Sequence, residues 1–113
     1  MKERCWVSVY MPLIRATAFV YFGDEGFRQY DKWRAGKTSV SRDMIGNGGL
    51  TFKDRSWVSD EMDLDTLVHE LNHLTTNICD DRDINTEEVR SYVQGYIFGE
   101  VLRKRRITVL KDK

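Results

Sequence analysis

The sequence predicts an α+β domain in which a small sheet of three to four strands is packed by two long helices in the second half. Three observations carry this. Two early runs, 6–10 and 17–22, are dense in β-branched and aromatic residues, as strands are. From Leu64 onward apolar side chains recur at i, i+3, i+4 and i+7, the period of a helix with one buried face. A chain of 113 residues accommodates one core and not two, so residues 1–113 are read as a single domain.

The elements follow in order. Trp6-Val7-Ser8-Val9-Tyr10 and Thr17-Ala18-Phe19-Val20-Tyr21-Phe22 read as strands, and Gly23-Asp24-Glu25-Gly26 punctuates the second. Between Glu25 and Arg34, Phe27, Tyr30 and Trp33 recur at helical spacing, closed by Gly36. Lys37 to Gly49 is polar and glycine-rich and reads as a loop. Leu50-Thr51-Phe52 and Ser56-Trp57-Val58-Ser59 form two short strands around a Lys53-Asp54-Arg55 turn. The helix that follows carries Leu64, Leu67, Val68, Leu71, Leu74 and Ile78 on its apolar side, with Asp60 or Asp63 as N-cap. After Asp80-Asp81-Arg82-Asp83, a last helix runs from about Thr86 to Lys104.

Composition narrows the function classes. Apolar residues make up 41% and charged residues 32%, the balance of a folded globular chain. Lys and Arg equal Asp and Glu at 18 each, so no global field favours nucleic acid or an anionic membrane. Arg103-Lys104-Arg105-Arg106 is a local basic run, but at a helix C-terminus it complements the helix dipole. No stretch approaches the ~18 unbroken apolar residues of a membrane span. Ala16-Thr17-Ala18 mimics a signal-peptidase site, yet Arg15 precedes it and Ser8 and Pro12 interrupt the apolar run, so a leader is not expected. Cys5 and Cys79 make no disulfide framework, and a cytoplasmic, reducing location is expected.

The chemistry sits at His69-Glu70-Leu71-Asn72-His73, an H-E-x-x-H pattern. Imidazoles four residues apart stand one above the other on a helix, ~40° apart on its wheel, and can take two corners of a tetrahedral zinc. The intervening glutamate lies beside them, placed to deprotonate a water on the metal rather than to ligate. Both histidines of the chain are spent here, and shuffling its residues gives the motif roughly once in a thousand trials.

A catalytic zinc needs a third protein ligand and one open corner. With no third histidine, that ligand is a carboxylate or a thiolate. Glu88 is the first choice, with Glu87 and Cys79 as competitors. Ser91, Tyr92, Gly95 and Gly99 share its side of the last helix, and two glycines four apart suggest close approach of a second helix backbone. Glu88 also has capping-box spacing from Asn85. Cys79 lies six residues after His73, where a metzincin places its third ligand, but Thr76 stands in the turn glycine's place and no methionine follows for a Met-turn. Cys79 is therefore read as a buried helix-end side chain.

With Val68-His69-Glu70-Leu71-Asn72-His73 followed by Glu-Glu-Val-Arg-Ser-Tyr-Val-Gln-Gly-Tyr, the chain resembles small phage and prophage HExxH proteins and the minimal gluzincins. The similarity spans about Leu50 to Leu102. It implies a minimal zincin scaffold, zinc on His69, His73 and Glu88, Glu70 as base, and an edge strand before the motif helix on which a peptide adds as an extra strand. Repressor-cleaving metalloproteases share this layout, but no accompanying DNA-binding domain is visible.

The expected function is thus a zinc-dependent hydrolase, a metallopeptidase acting on a peptide or protein substrate. The alternative is a non-catalytic, metal-binding interaction module with the same fold. Tyr92 or Tyr96 is a candidate oxyanion donor, against the ordinary use of aromatics at this spacing as core.

Overall fold

The computed structural model describes residues 5–34, 48–59 and 64–105. Its elements are β1 (Trp6–Met11), β2 (Ala16–Phe22), α1 (Gly23–Arg34), β3 (Gly49–Phe52), β4 (Arg55–Val58), α2 (Leu64–Asp81) and α3 (Glu87–Arg105). The strands form one mixed sheet in the order β1-β2-β4-β3. β1 and β2 are an antiparallel hairpin with Val9 opposite Ala18, and β3 and β4 are a second with Thr51 opposite Ser56. The hairpins join through a parallel β2–β4 ladder in which Tyr21 faces Trp57. The fold is α+β, with each predicted strand and helix present.

Strand alternation decides what each face meets. Val7, Val9 and Met11 of β1, and Ala18, Val20 and Phe22 of β2, point to the face that α2 and α3 cover. Leu67, Leu71 and Leu74 of α2 and Ile97 and Val101 of α3 are fully buried against it. Each such side chain contributes about 1.5–3 kcal/mol by leaving water. The apolar stripe is narrower than its sequence spacing suggests: Leu64 and Val68 are 42% and 38% exposed. Leu64 is the first residue of α2, and Val68 stands at the margin of its buried side.

The opposite face is covered by α1, through Tyr21, Phe27, Tyr30 and Trp57. Gly26 is not punctuation but part of this helix, where a Cβ would stand 2.9 Å from the Cys5 carbonyl oxygen. Its missing side chain lets α1 lie close to the sheet. The indole of Trp57, fully buried, donates to the Gly23 carbonyl at 2.7 Å and fixes the start of α1 on β4. The helix was therefore longer at its start than the glycines implied.

The expected loop from Lys37 onward, and the N-cap candidates Asp60 and Asp63, lie outside the described residues apart from Gly48 and Gly49. Gly49 belongs to β3. Between α2 and α3 the chain reverses at Asp83, φ 59°, and Ile84 N–H donates to the Cys79 carbonyl at 2.8 Å. Arg90 secures this turn by donating to the Ile84 carbonyl at 2.8 Å and pairing with Asp80.

Candidate metal centre

α2 carries the motif because its leucines and its histidines occupy different sides. With Leu67, Leu71 and Leu74 turned to the core, His69 and His73 fall on the solvent side, and both are exposed. Their Nε2 atoms lie 3.1 Å apart with the rings nearly perpendicular at 89°. That separation fits a shared metal. With ligand bonds of about 2.0–2.1 Å, two nitrogens so placed subtend close to 100° at the ion, near a tetrahedral angle.

Glu70, one residue on, turns into the protein and is 5% exposed. Its carboxylate Oε1 accepts from Thr51 Oγ1 at 2.7 Å. Thr51 Oγ1 in turn lies 2.7 Å from Ser56 Oγ, its cross-strand partner. The Glu70 side chain also lies over Gly49: a Cβ there would stand 2.6 Å from Cγ and 2.9 Å from Oε2. A buried carboxylate needs such partners. The motif thus separates into two exposed nitrogens and one sheltered carboxylate.

Neither Glu88 nor Glu87 joins the histidines. Among the described residues no group of three or more His, Cys, Asp and Glu side chains is placed to hold a metal ion. Both glutamates are exposed in the first turn of α3. The packing argument for Glu88 fails on a specific point, since a Cβ built on Gly95 or Gly99 meets nothing within 4 Å. Among the described residues no helix backbone approaches the two glycines. The capping-box reading does not hold either. Arg90 N–H donates to the Thr86 carbonyl, so Thr86 is the cap and Glu88 falls one place short of the box position.

Cys79 is fully buried in the α2–α3 core, and burial pushes its thiol pKa up. Both facts oppose a thiolate ligand beside the exposed histidines. Tyr92 and Tyr96 stack at 6.2 Å, with Tyr92 56% exposed and Tyr96 half-buried against the core. Tyr92 is therefore not a core residue.

A cleft of about 730 Å³ opens beside Thr51, lined also by Phe52, Lys53, Asn77 and Ile78. Asn77 is one helical turn beyond His73 and donates to the Lys53 carbonyl at 3.0 Å. The described part of the basic run is engaged within the molecule. Arg103 pairs with Glu100, Lys104 donates to the Ser8 carbonyl, and Arg105 stacks over Phe22. No described helix is long and apolar enough to cross a membrane.

Gly49, Thr51 and Ser56 were not singled out in the sequence. Alternation does put Gly49 and Thr51 on one face of their strand. Which helix that face meets depends on the sheet order, which alternation does not reveal. No protein-family model matches the chain, and no curated protein or solved structure is found to match it.

Proposed function

We propose that the protein is a zinc-dependent hydrolase of the peptidase type. The observation that carries this is the pairing of the His69 and His73 Nε2 atoms at 3.1 Å on an exposed helix face, with the intervening Glu70 held by Thr51. His69 and His73 would hold the ion, and Glu88 of α3 would serve as third ligand only by moving from its place in the structure toward them. When bound there, zinc acidifies a water molecule and polarises a carbonyl group.

Glu70 takes the proton of the attacking water and returns it to the departing amine. Thr51 holds the carboxylate through Oε1 alone, so Oε2 is the oxygen that would take the proton. An extended peptide is the favoured substrate class. Among the described strands β3 ends the sheet, and a strand added to its outer edge would run past the strand that seats Glu70.

Zinc content and cleavage of a broad peptide library, measured together, test the proposal. The wild type should bind one zinc and cleave. Glu70→Gln should keep zinc and lose cleavage, since an amide preserves shape but takes no proton. His73→Ala should lose both, and loss of both in Glu88→Ala would show that Glu88 reaches the ion. Cleavage retained by Glu70→Gln would refute the assignment of the base. Zinc without cleavage in the wild type would replace the hydrolase by the metal-binding module.

A further inference from the structure

We propose that Gly49 and Thr51, on the edge strand β3, form a cradle that fixes the Glu70 carboxylate in one position. Thr51 is thus a positioning residue for the reaction and Gly49 a steric requirement of it. The proposal deepens the hydrolase reading, because it matters to chemistry only if Glu70 is the base.

Two independent observations support it. The first is the hydrogen bonding. Thr51 Oγ1 has one proton and two lone pairs. Its neighbours are Glu70 Oε1 at 2.7 Å, Ser56 Oγ at 2.7 Å and the Glu70 carbonyl at 3.2 Å. An ionised carboxylate only accepts, so the Thr51 proton goes to Oε1 and the fully buried Ser56 donates its own to Thr51. Ser56 thereby orients Thr51, and Thr51 orients Glu70. The chain runs straight across the β3–β4 pair, since Thr51 and Ser56 are register partners.

The second is steric. Gly49 is two residues before Thr51 on the same strand, so both face α2. Gly49 has no left-handed backbone to explain its identity; Gly48 does, with φ 75°. Space explains Gly49 instead. Any Cβ there would overlap Glu70 Cγ at 2.6 Å and crowd Oε2 at 2.9 Å. Glycine therefore makes room for the carboxylate on one side while threonine grips it on the other.

For a proton-transferring group, position is worth rate: a misplacement of about 1 Å can lower turnover by about 100-fold. Because β3 is also the edge strand, the strand proposed to receive the peptide is the one that seats the base. Substrate and base are then aligned by one backbone segment.

The test has two arms. The first uses metal-free protein and melting temperature alone. Gly49→Ala should lower Tm by at least about 5 °C in the wild type, the scale of an overpacking penalty in a domain this size. In a Glu70→Ala background, where the clashing atoms are gone, the same change should be neutral or raise Tm. If Gly49→Ala does not fold alone, recovery of folding in the double variant is the equivalent result. Thr51→Val should likewise lower Tm in the wild type by several degrees more than in Glu70→Ala. Equal shifts in the two backgrounds would overturn the cradle.

The second arm reads turnover in zinc-loaded protein. Thr51→Val should lower kcat about 10- to 100-fold with KM and zinc content unchanged, and Thr51→Ser should restore it to within a few-fold. Unchanged kcat in Thr51→Val, or no recovery in Thr51→Ser, would overturn the positioning role. A wild type without cleavage would count against the hydrolase reading, and the melting arm would still decide the cradle.

Discussion

Arg82, just past the end of α2, donates to the Arg15 carbonyl at 2.8 Å and to that of Ile14 at 3.2 Å. It thereby holds a β1–β2 turn in which Arg15 is left-handed, φ 51°. A non-glycine residue in that conformation needs support from its surroundings. Arg82→Ala should lower stability by about 1 kcal/mol, read as a drop in Tm of about 4–8 °C. Zinc binding should be unaffected, because the turn lies on the far strands of the sheet.

Tyr30 predicts an alkaline instability. It is fully buried, and its hydroxyl has no hydrogen-bond partner among the described residues. Burial pushes its pKa up to about 12, against the opposing pull of Arg34. An unfolded tyrosine ionises near 10, so its contribution is fully present below about pH 10 and is lost as pH rises toward 12. The loss is on the order of 2–3 kcal/mol. Urea unfolding at pH 9 and pH 11.5 should show it, and Tyr30→Phe should flatten it. At pH 7 the same substitution should be neutral or stabilising, since it removes an unsatisfied buried hydroxyl.

Gly95 and Gly99 should be replaceable at a gain. Both are inside α3 and neither has a neighbour that a Cβ would meet. Alanine at either site should stabilise by up to about 1 kcal/mol. Thermal melts of the two single variants and the double variant check this. A loss of stability would mean that a partner packs on this face.

Metal should stabilise the fold through the histidine pair. A ligand that binds only the native state at 100 times its Kd adds about 2.7 kcal/mol. Zinc should therefore raise Tm in the wild type, a chelator should reverse the rise, and His73→Ala should abolish it. A wild-type Tm unmoved by zinc would remove the metal from the proposed function.

The sequence foretold the elements well because each depends on local pattern. The strand 17–22 and the helix from Leu64 were legible from residue type and period alone. The stripe edges were not, as Leu64 and Val68 share the helical spacing but are exposed. His69 and His73 were legible because i, i+4 spacing needs only one helix. Thr51, Ser56 and Gly49 were hidden because their link to Glu70 requires knowing which sheet edge lies under α2. Gly95 and Gly99 misled for a related reason: a glycine pair reports absent side chains, not what occupies the space.

The β2–β4 ladder divides the molecule in a further sense. Gly49, Thr51, Ser56 and Glu70 fall in one stretch continuous in sequence, from Gly49 through α3, and the half formed by β1, β2 and α1 is continuous too. The halves meet along the parallel β2–β4 pair, through α1 seated on Trp57, through Arg82 on the β1–β2 turn, and where α2 and α3 cover β1 and β2. Cleaving the chain between residues 34 and 48 would thus make the sheet a bimolecular product. The N-terminal fragment would supply neither of the hydroxyls that hold Glu70, though Tyr30 of α1 lies within electrostatic reach of it. Yet occupancy of the site would rise and fall with its concentration, because half of the sheet under α2 would arrive from solution.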